Sequence, residues 1–154
     1  MRRRTVFNLM AASAVALAGG WSLLGSQPNA VAAEIAVYKD PNCGCCGQWV
    51  GHLRAAGFSV EVHDAEDLVR IKADAGIPDN LQSCHTAMID GYVIEGHVPA
   101  ADIRRLLSER PAAKGLAVPG MPVGSPGMEQ GAAREPYNVI LLQNDRSGTI
   151  FARH

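Results

Sequence analysis

The sequence predicts a single α/β domain, and three observations carry that prediction. Apolar residues between Glu34 and Pro111 switch repeatedly between the two-residue period of a strand and the 3.6-residue period of a helix. A chain of 154 residues suits one hydrophobic core better than two. At 47% apolar and 19% charged, it carries enough apolar surface to exclude a wholly disordered chain. Its 14 Lys+Arg nearly balance 15 Asp+Glu, with no basic block beyond Arg2, Arg3 and Arg4, so composition excludes a basic nucleic-acid binder.

The leader comes first. Three arginines precede a run of about sixteen residues without charge, Leu9 to Leu24, and Ala30-Val31-Ala32-Ala33 closes the segment. A positive start, an apolar middle and a small-residue end predict a signal peptide over residues 1–33, cut after Ala32 or Ala33. The run is shorter than the roughly 20 residues a membrane span needs, so no stable span is expected after cleavage. Adjacent arginines suit twin-arginine export, and an ordinary Sec signal fits equally well. Losing those arginines and no acid takes the formal charge from −1 to −4, with all four cysteines and all five histidines retained in residues 34–154. A periplasmic location follows, where free thiols are scarce unless a metal or a reductase holds them.

Each element of the domain has its own signal. Glu34–Tyr38 is a β-rich run, closed by the turn residues Lys39-Asp40-Pro41-Asn42. Trp49, Val50, Leu53 and Ala56 recur at helical spacing until Gly57. Phe58–His63 alternates as a strand does, with Phe58, Val60 and Val62 on one side. Asp64 is the expected cap of a second helix, with Asp67 at the capping-box position, Leu68, Ile71 and Ala75 facing inward, and Gly76 at its end. Ala87–Asp90 and Tyr92–Val98 flank Asp90-Gly91, a hairpin signal. Pro99 opens a helix with Ile103, Leu106 and Leu107 inward, and Pro111 stops it. A parallel βαβ unit followed by an antiparallel hairpin and a closing helix is the thioredoxin-like arrangement. Beyond it, Ala117–Gly131 is rich in Gly and Pro without any period and reads as an ordered loop or flap. Asn138–Gln143 and Thr149–Ala152 then make a second hairpin.

The chemistry sits in Cys43-Gly44-Cys45-Cys46 and Cys84-His85. Cys43 and Cys46 form a C-x-x-C at a helix N-terminus, where the helix dipole and unpaired amides favour thiolate over thiol. Such a pair either cycles between dithiol and disulfide or holds a soft metal. Cys45 fits the first role poorly, because a third thiol invites scrambling. Adjacent Cys45 and Cys46 are also badly spaced to chelate one ion tetrahedrally. Crowded thiolates suit sulfurs that bridge more than one soft ion, and Cu(I) is the softest common one. Cys84 lies at the entry to the hairpin strand, a segment that runs beside the C-x-x-C in a thioredoxin-like fold. It is therefore expected to approach the other three sulfurs. The plainer alternative is a pair of structural disulfides, Cys43–Cys46 and Cys45–Cys84, which the crowding makes awkward.

Other soft or titratable residues have less specific signals. His85 is a ligand or proton carrier if it faces Cys84, but strand alternation points it the other way. His52 and His63 read as solvated surface residues. His97 precedes a helix and suits its N-terminal backbone. Met121 and Met128 are either Cu(I) thioether ligands or packing residues in the flap.

Four segments together resemble one family. They are Asp40-Pro41-Asn42-Cys43-Gly44-Cys45-Cys46, Ser83-Cys84-His85-Thr86-Ala87, Tyr92-Val93-Ile94-Glu95-Gly96-His97-Val98-Pro99, and Gly115–Pro122 with Gly124–Glu129. In order and spacing they resemble the CopG-type copper-resistance family, periplasmic thioredoxin-like proteins distinct from the DNA-binding repressors of that name. The resemblance implies copper bound in a multicopper site by Cys43, Cys45, Cys46 and Cys84, with the Met121–Met128 loop over it. It also implies interconversion of Cu(I) and Cu(II) alongside copper-efflux components.

The leading expectation is a periplasmic Cu(I)-binding protein, redox-active toward copper, with copper ions and efflux components as partners and no nucleic acid. The first rival is a metal-free thiol–disulfide oxidoreductase with Cys43 as nucleophile and Cys46 as resolving thiol. The second is a small binding domain with inert disulfides.

Overall fold

The computed structural model describes residues 34–154. The leader expected over residues 1–33 lies outside them. Ten main elements follow in order: β1 (Glu34–Lys39), α1 (Gly44–Ala55), β2 (Ser59–Asp64), α2 (Leu68–Asp74), β3 (His85–Ile89), β4 (Tyr92–Glu95), α3 (Ala100–Glu109), β5 (Gly115–Ala117), β6 (Asn138–Leu142) and β7 (Gly148–Arg153). A single 3-10 turn, Asp79–Leu81, sits between α2 and β3.

All seven strands share one mixed sheet in the order β2-β1-β3-β4-β5-β6-β7. β1 and β2 are parallel, as a strand–helix–strand crossover requires. β3 then runs antiparallel to β1, and β4 antiparallel to β3. The parallel unit, the hairpin and the closing helix expected from the sequence are therefore all present. β5 to β7 extend the sheet beyond β4, with the β6–β7 hairpin on its far edge.

Burial explains which segments became which elements. In β1 the two-residue period puts Ile35 and Val37 in the core. α1 buries Cys46, Trp49, Val50 and Leu53, a stripe at helical spacing. The Trp49 indole N–H donates to the Val98 carbonyl at 2.9 Å, which satisfies the polar edge of a fully buried ring. α3 closes the same core with Ile103 and Leu106, while Leu107 is half-buried. β4 is buried along its whole length because it is central in the sheet.

Four details differ from the sequence expectation. Asp64 does not cap α2: it ends β2, paired with Lys39 in the ladder and by an ion pair at 3.3 Å. Asp67 is the cap instead, accepting the Arg70 amide at 2.9 Å. The inward face of α2 is correspondingly short, with Lys72 its buried residue and Leu68 and Ile71 only half-buried. The Tyr92–Val98 run stops as a strand at Glu95, because Gly96 turns the chain at φ +70°. Finally, Gly115–Ala117 pairs with both β4 and β6, and three residues are too few to show a period.

Gly115 shows how closely those strands approach. It is paired with Val93, and a Cβ added there would fall 1.8 Å from the Val93 carbonyl oxygen. Gly115→Ala is expected to destabilise the domain by about 1–3 kcal/mol through forced backbone shifts. The urea midpoint measures this, and an unchanged midpoint would mean that β5 moves away freely.

Candidate metal centre

Four cysteine sulfurs meet where α1 begins. The approach to α1 is a turn in which the Asn42 amide donates to the Asp40 carboxylate at 2.7 Å and the Cys43 amide to the Asp40 carbonyl at 3.0 Å. That turn sets Cys43 at the N-cap of α1 with no capping bond from its own side chain. Cys45 and Cys46 occupy the first helical turn. Cys43 and Cys46 are joined as a disulfide, whereas Cys45 and Cys84 are free thiols. Cys84 lies 3.5 Å from Cys46 and 4.0 Å from Cys45, and Cys45 lies 3.5 Å from Cys43, sulfur to sulfur. All four sulfurs are within 4.8 Å of one another. Of the two disulfides considered from the sequence, only Cys43–Cys46 is formed.

Cys84 reaches this cluster because its segment is anchored from below. The Glu95 carboxylate, with no solvent exposure, accepts the Ser83 amide at 2.6 Å, the Thr86 hydroxyl at 2.7 Å and the Lys72 ammonium at 2.5 Å. Lys72 also donates to the Thr86 hydroxyl at 2.9 Å. The network joins α2, β3 and β4 and pins the residue just before Cys84. Burial pushes the Glu95 carboxyl above its usual range, and the adjacent Lys72 charge works against that rise. Sequence reasoning missed Lys72 and Glu95. Their signal was a charged residue on the inward side of each apolar run, four residues after Leu68 and directly after Ile94.

Two buried imidazoles stand on the other side of Cys84. His85 Nδ1 lies 3.3 Å and His97 Nε2 3.1 Å from its sulfur. Strand alternation predicts that His85 points away from Cys84, but Cys84 precedes the first residue of β3, so alternation does not govern the pair. The role expected of His97 belongs to His52, whose Nε2 accepts the Ala100 amide at the start of α3 at 3.1 Å. His97 Nδ1 instead donates to the Pro126 carbonyl at 2.8 Å. His63 is partly exposed and stacked on Tyr38, whereas His52, expected at the solvated surface, is half-buried because it accepts the Ala100 amide.

The flap docks directly on the cluster. Gly124 and Ser125 close a turn with Met128 through backbone bonds of 3.0 and 2.8 Å, and Ser125 and Pro126 are buried. At Gly127 (φ +85°) a Cβ would lie 2.8 Å from the Cys45 carbonyl oxygen and 2.7 Å from the Trp49 nitrogen, so only glycine fits against α1. Ser83 ties the flap's root by donating its hydroxyl to the Gly120 carbonyl. Met128 is half-buried in the docked turn, whereas Met121 is 51% exposed.

Burial shifts the titration of Cys84 and of both imidazoles. Burial first, and the neighbouring Cys45 second, push the Cys84 thiol up to about 12. Burial, the His97 charge and the Lys72 charge hold His85 down at about 3. Burial also lowers His97, outweighing the Pro126 carbonyl and Glu129. A soft cation is the group that fits four crowded sulfurs, because it displaces thiol protons and shares sulfurs between ions.

Two outcomes test this geometry. Lys72→Ala leaves the Glu95 carboxylate buried without its cation, and a loss of about 3–5 kcal/mol in urea unfolding is expected. In the copper-free chain with Cys43–Cys46 joined, a thiol with its titration raised to about 12 is still protonated at neutral pH. Iodoacetamide labelling of Cys84, read by peptide mass spectrometry, should therefore climb about tenfold per pH unit well past pH 9. A plateau near pH 9, as for an ordinary thiol of pKa about 8.5, would contradict it.

Relatives share this architecture. A family model described as a protein of unknown function, DUF411, matches residues 81–128, which span Cys84, His85, His97 and the flap. No curated protein matches the chain. Two solved structures do, both described as the copper resistance protein CopG. One is 48% identical over 79% of this chain and 98% of its own, with a TM-score of 0.76. The other, described as Form 1 of that protein, is also 48% identical, over 79% and 96%, with a TM-score of 0.75. At that identity over nearly the full length of the solved chain, this protein belongs to the CopG family of copper resistance proteins.

Proposed function

We propose that the mature chain is a periplasmic copper-binding protein that holds Cu(I) on Cys43, Cys45, Cys46 and Cys84, with thiolates shared between more than one ion. The observation that carries this reading is four sulfurs within 4.8 Å in a chain 48% identical to a copper resistance protein. Thiolate selects Cu(I) among the common ions of an exported compartment. Adjacent Cys45 and Cys46 make bridging a better use of the sulfurs than a single closed tetrahedral site.

The Cys43–Cys46 disulfide gives the cluster an electron store. Two Cu(I) ions each give up one electron to the disulfide, its S–S bond breaks, and two protons from solvent complete the thiols as two Cu(II) ions form. The reverse reaction makes Cu(I) and re-forms the bond with release of two protons. This chemistry joins copper capture to Cu(I)/Cu(II) interconversion and suits a protein working beside copper-efflux components. The flap rests on the Cys45 backbone at Gly127, beside the cluster.

The disulfide favours one other reading, a metal-free thiol–disulfide oxidoreductase using Cys43 and Cys46. Insulin reduction retained after Cys45→Ser with Cys84→Ser would select it. For the copper reading, the fully reduced chain is titrated anaerobically with Cu(I) against a competing chelator. More than one copper per chain, with all four thiols protected, is expected. Cys43→Ser with Cys46→Ser should lower the copper number, and an unchanged number overturns the assignment.

A further inference from the structure

A cavity of about 400 Å³ lies away from the four cysteines, between α2, the segment that follows it and the β6–β7 turn. That size falls within the range of about 300–1,000 Å³ over which small-molecule pockets are found. Val69 and Ala73 of α2, with Ile77 and Pro78 beyond it, give the cavity an apolar wall. Val69 is 78% exposed there, an aliphatic side chain left in water beside a buried Ile77.

Two charged side chains of opposite sign, Arg146 and Asp79, line the same cavity and do not pair. Among the described residues neither forms an ion pair, whereas Arg70, Arg105 and Arg110 are matched with Asp74, Glu109 and Asp90. Asp79 accepts a hydrogen bond from the Gln82 side-chain amide at 3.2 Å, which orients the carboxylate without neutralising it. The other cation nearby, Lys114, is engaged at the end of α2, where its Nζ donates to the Ala75 carbonyl at 3.1 Å. Gly76 (φ +67°) sits beside both cations. A Cβ there would lie 2.7 Å from Lys114 Nζ and 4.0 Å from Arg146 Nε, so glycine keeps that side open.

Arg146 holds its place against the preference of its own backbone. Its φ is +71°, a left-handed conformation that residues with a Cβ rarely adopt. The turn itself is closed by the backbone, through the Arg146 amide on the Gln143 carbonyl at 3.0 Å. Glycine would close it without strain, so what arginine adds is the guanidinium on the cavity wall. Strain kept at one residue in this way points to a use for its side chain.

We propose that the cavity binds a free aliphatic amino acid as its zwitterion, with the carboxylate on Arg146, the ammonium on Asp79 and the side chain against Val69, Ala73 and Ile77. A simple anion would face Asp79, and a simple cation would face Arg146. A neutral apolar body would cover both charges and pair neither. A zwitterion satisfies all three surfaces, and the planar guanidinium fork matches a carboxylate. The proposal stands apart from the copper reading, because none of these residues is a cysteine or a histidine.

The test is a titration of the copper-free full chain, isotope-labelled, with leucine at fixed ionic strength, followed by amide NMR shifts. Saturable shifts centred on Gly76, Gln82 and Arg146 are expected, with a dissociation constant on the order of 1 mM. Leucinamide lacks the carboxylate and N-acetylleucine lacks the ammonium, and each should bind about fivefold more weakly. Arg146→Gly should remove the preference for leucine over leucinamide, and Asp79→Asn the preference for leucine over N-acetylleucine. Glycine suits the positive φ at residue 146, so the first variant keeps its turn, and its urea midpoint checks that it folds. Absence of saturable shifts overturns the proposal. So does equal binding of leucine and the two analogues, or a preference that survives Arg146→Gly. Copper number per chain is untouched by any of these results, so failure here and failure of the copper reading are separate outcomes.

Discussion

Glu95 carries a carboxylate without solvent exposure, and donors from three parts of the chain converge on it: the Lys72 ammonium, the Thr86 hydroxyl and the Ser83 amide. Removing such a charge from water is costly, and only a full set of short, charged hydrogen bonds offsets it. The position of Cys84 depends on that arrangement. With Ser83 held, the next residue has little freedom, and its sulfur arrives 3.5 Å from that of Cys46, on a helix 38 positions earlier in the chain. A well-packed apolar pair could have stabilised the fold as well. What the ion pair adds is a directed grip on one backbone amide at the edge of the site.

The centre is assembled from parts with different mechanical character. The C-x-C-C segment is fixed by the turn at Asp40 and the first turn of α1. The Cys84 segment is fixed by Glu95, and the histidines by burial and by the flap's Pro126 carbonyl. The flap is the least repetitive of these in sequence, yet its turn is closed by backbone bonds and seated against α1 through Gly127. The shape of the site and its cover are therefore governed by the same contacts. A centre so arranged is pre-shaped, and ordering it on metal arrival costs little conformational entropy.

Membership of the CopG family gives the soft-donor geometry a biological setting, while the individual residues give it a mechanism. The disulfide, the free thiols and the buried imidazoles lie within a few ångströms of one another. On the proposed reading, a proton would leave each thiol that bound copper, which would link binding to acidity.

Sequence patterns were sufficient for the elements that obey a period. β1, α1, β2 and α3 announce themselves because each buries one face, and the Asp90-Gly91 hairpin because its turn demands those residues. Four cysteines at that spacing also marked out a sulfur cluster, and fold order placed Cys84 beside the other three. Sequence alone could not expose the remainder. Asp64 had the chemistry of a cap, but the ladder with Lys39 claimed it. β5 was too short to be periodic and exists only because β4 and β6 lie on either side. Lys72, Glu95, His85 and His97 resemble ordinary residues of an amphipathic helix, a strand and a loop. Their roles arise from sheet register and flap docking, which bring donors distant in the chain within hydrogen-bond reach. The identity of the donors was thus a property of the sequence, whereas their convergence was decided by the tertiary structure, because contact geometry between distant residues depends on packing that no local period encodes.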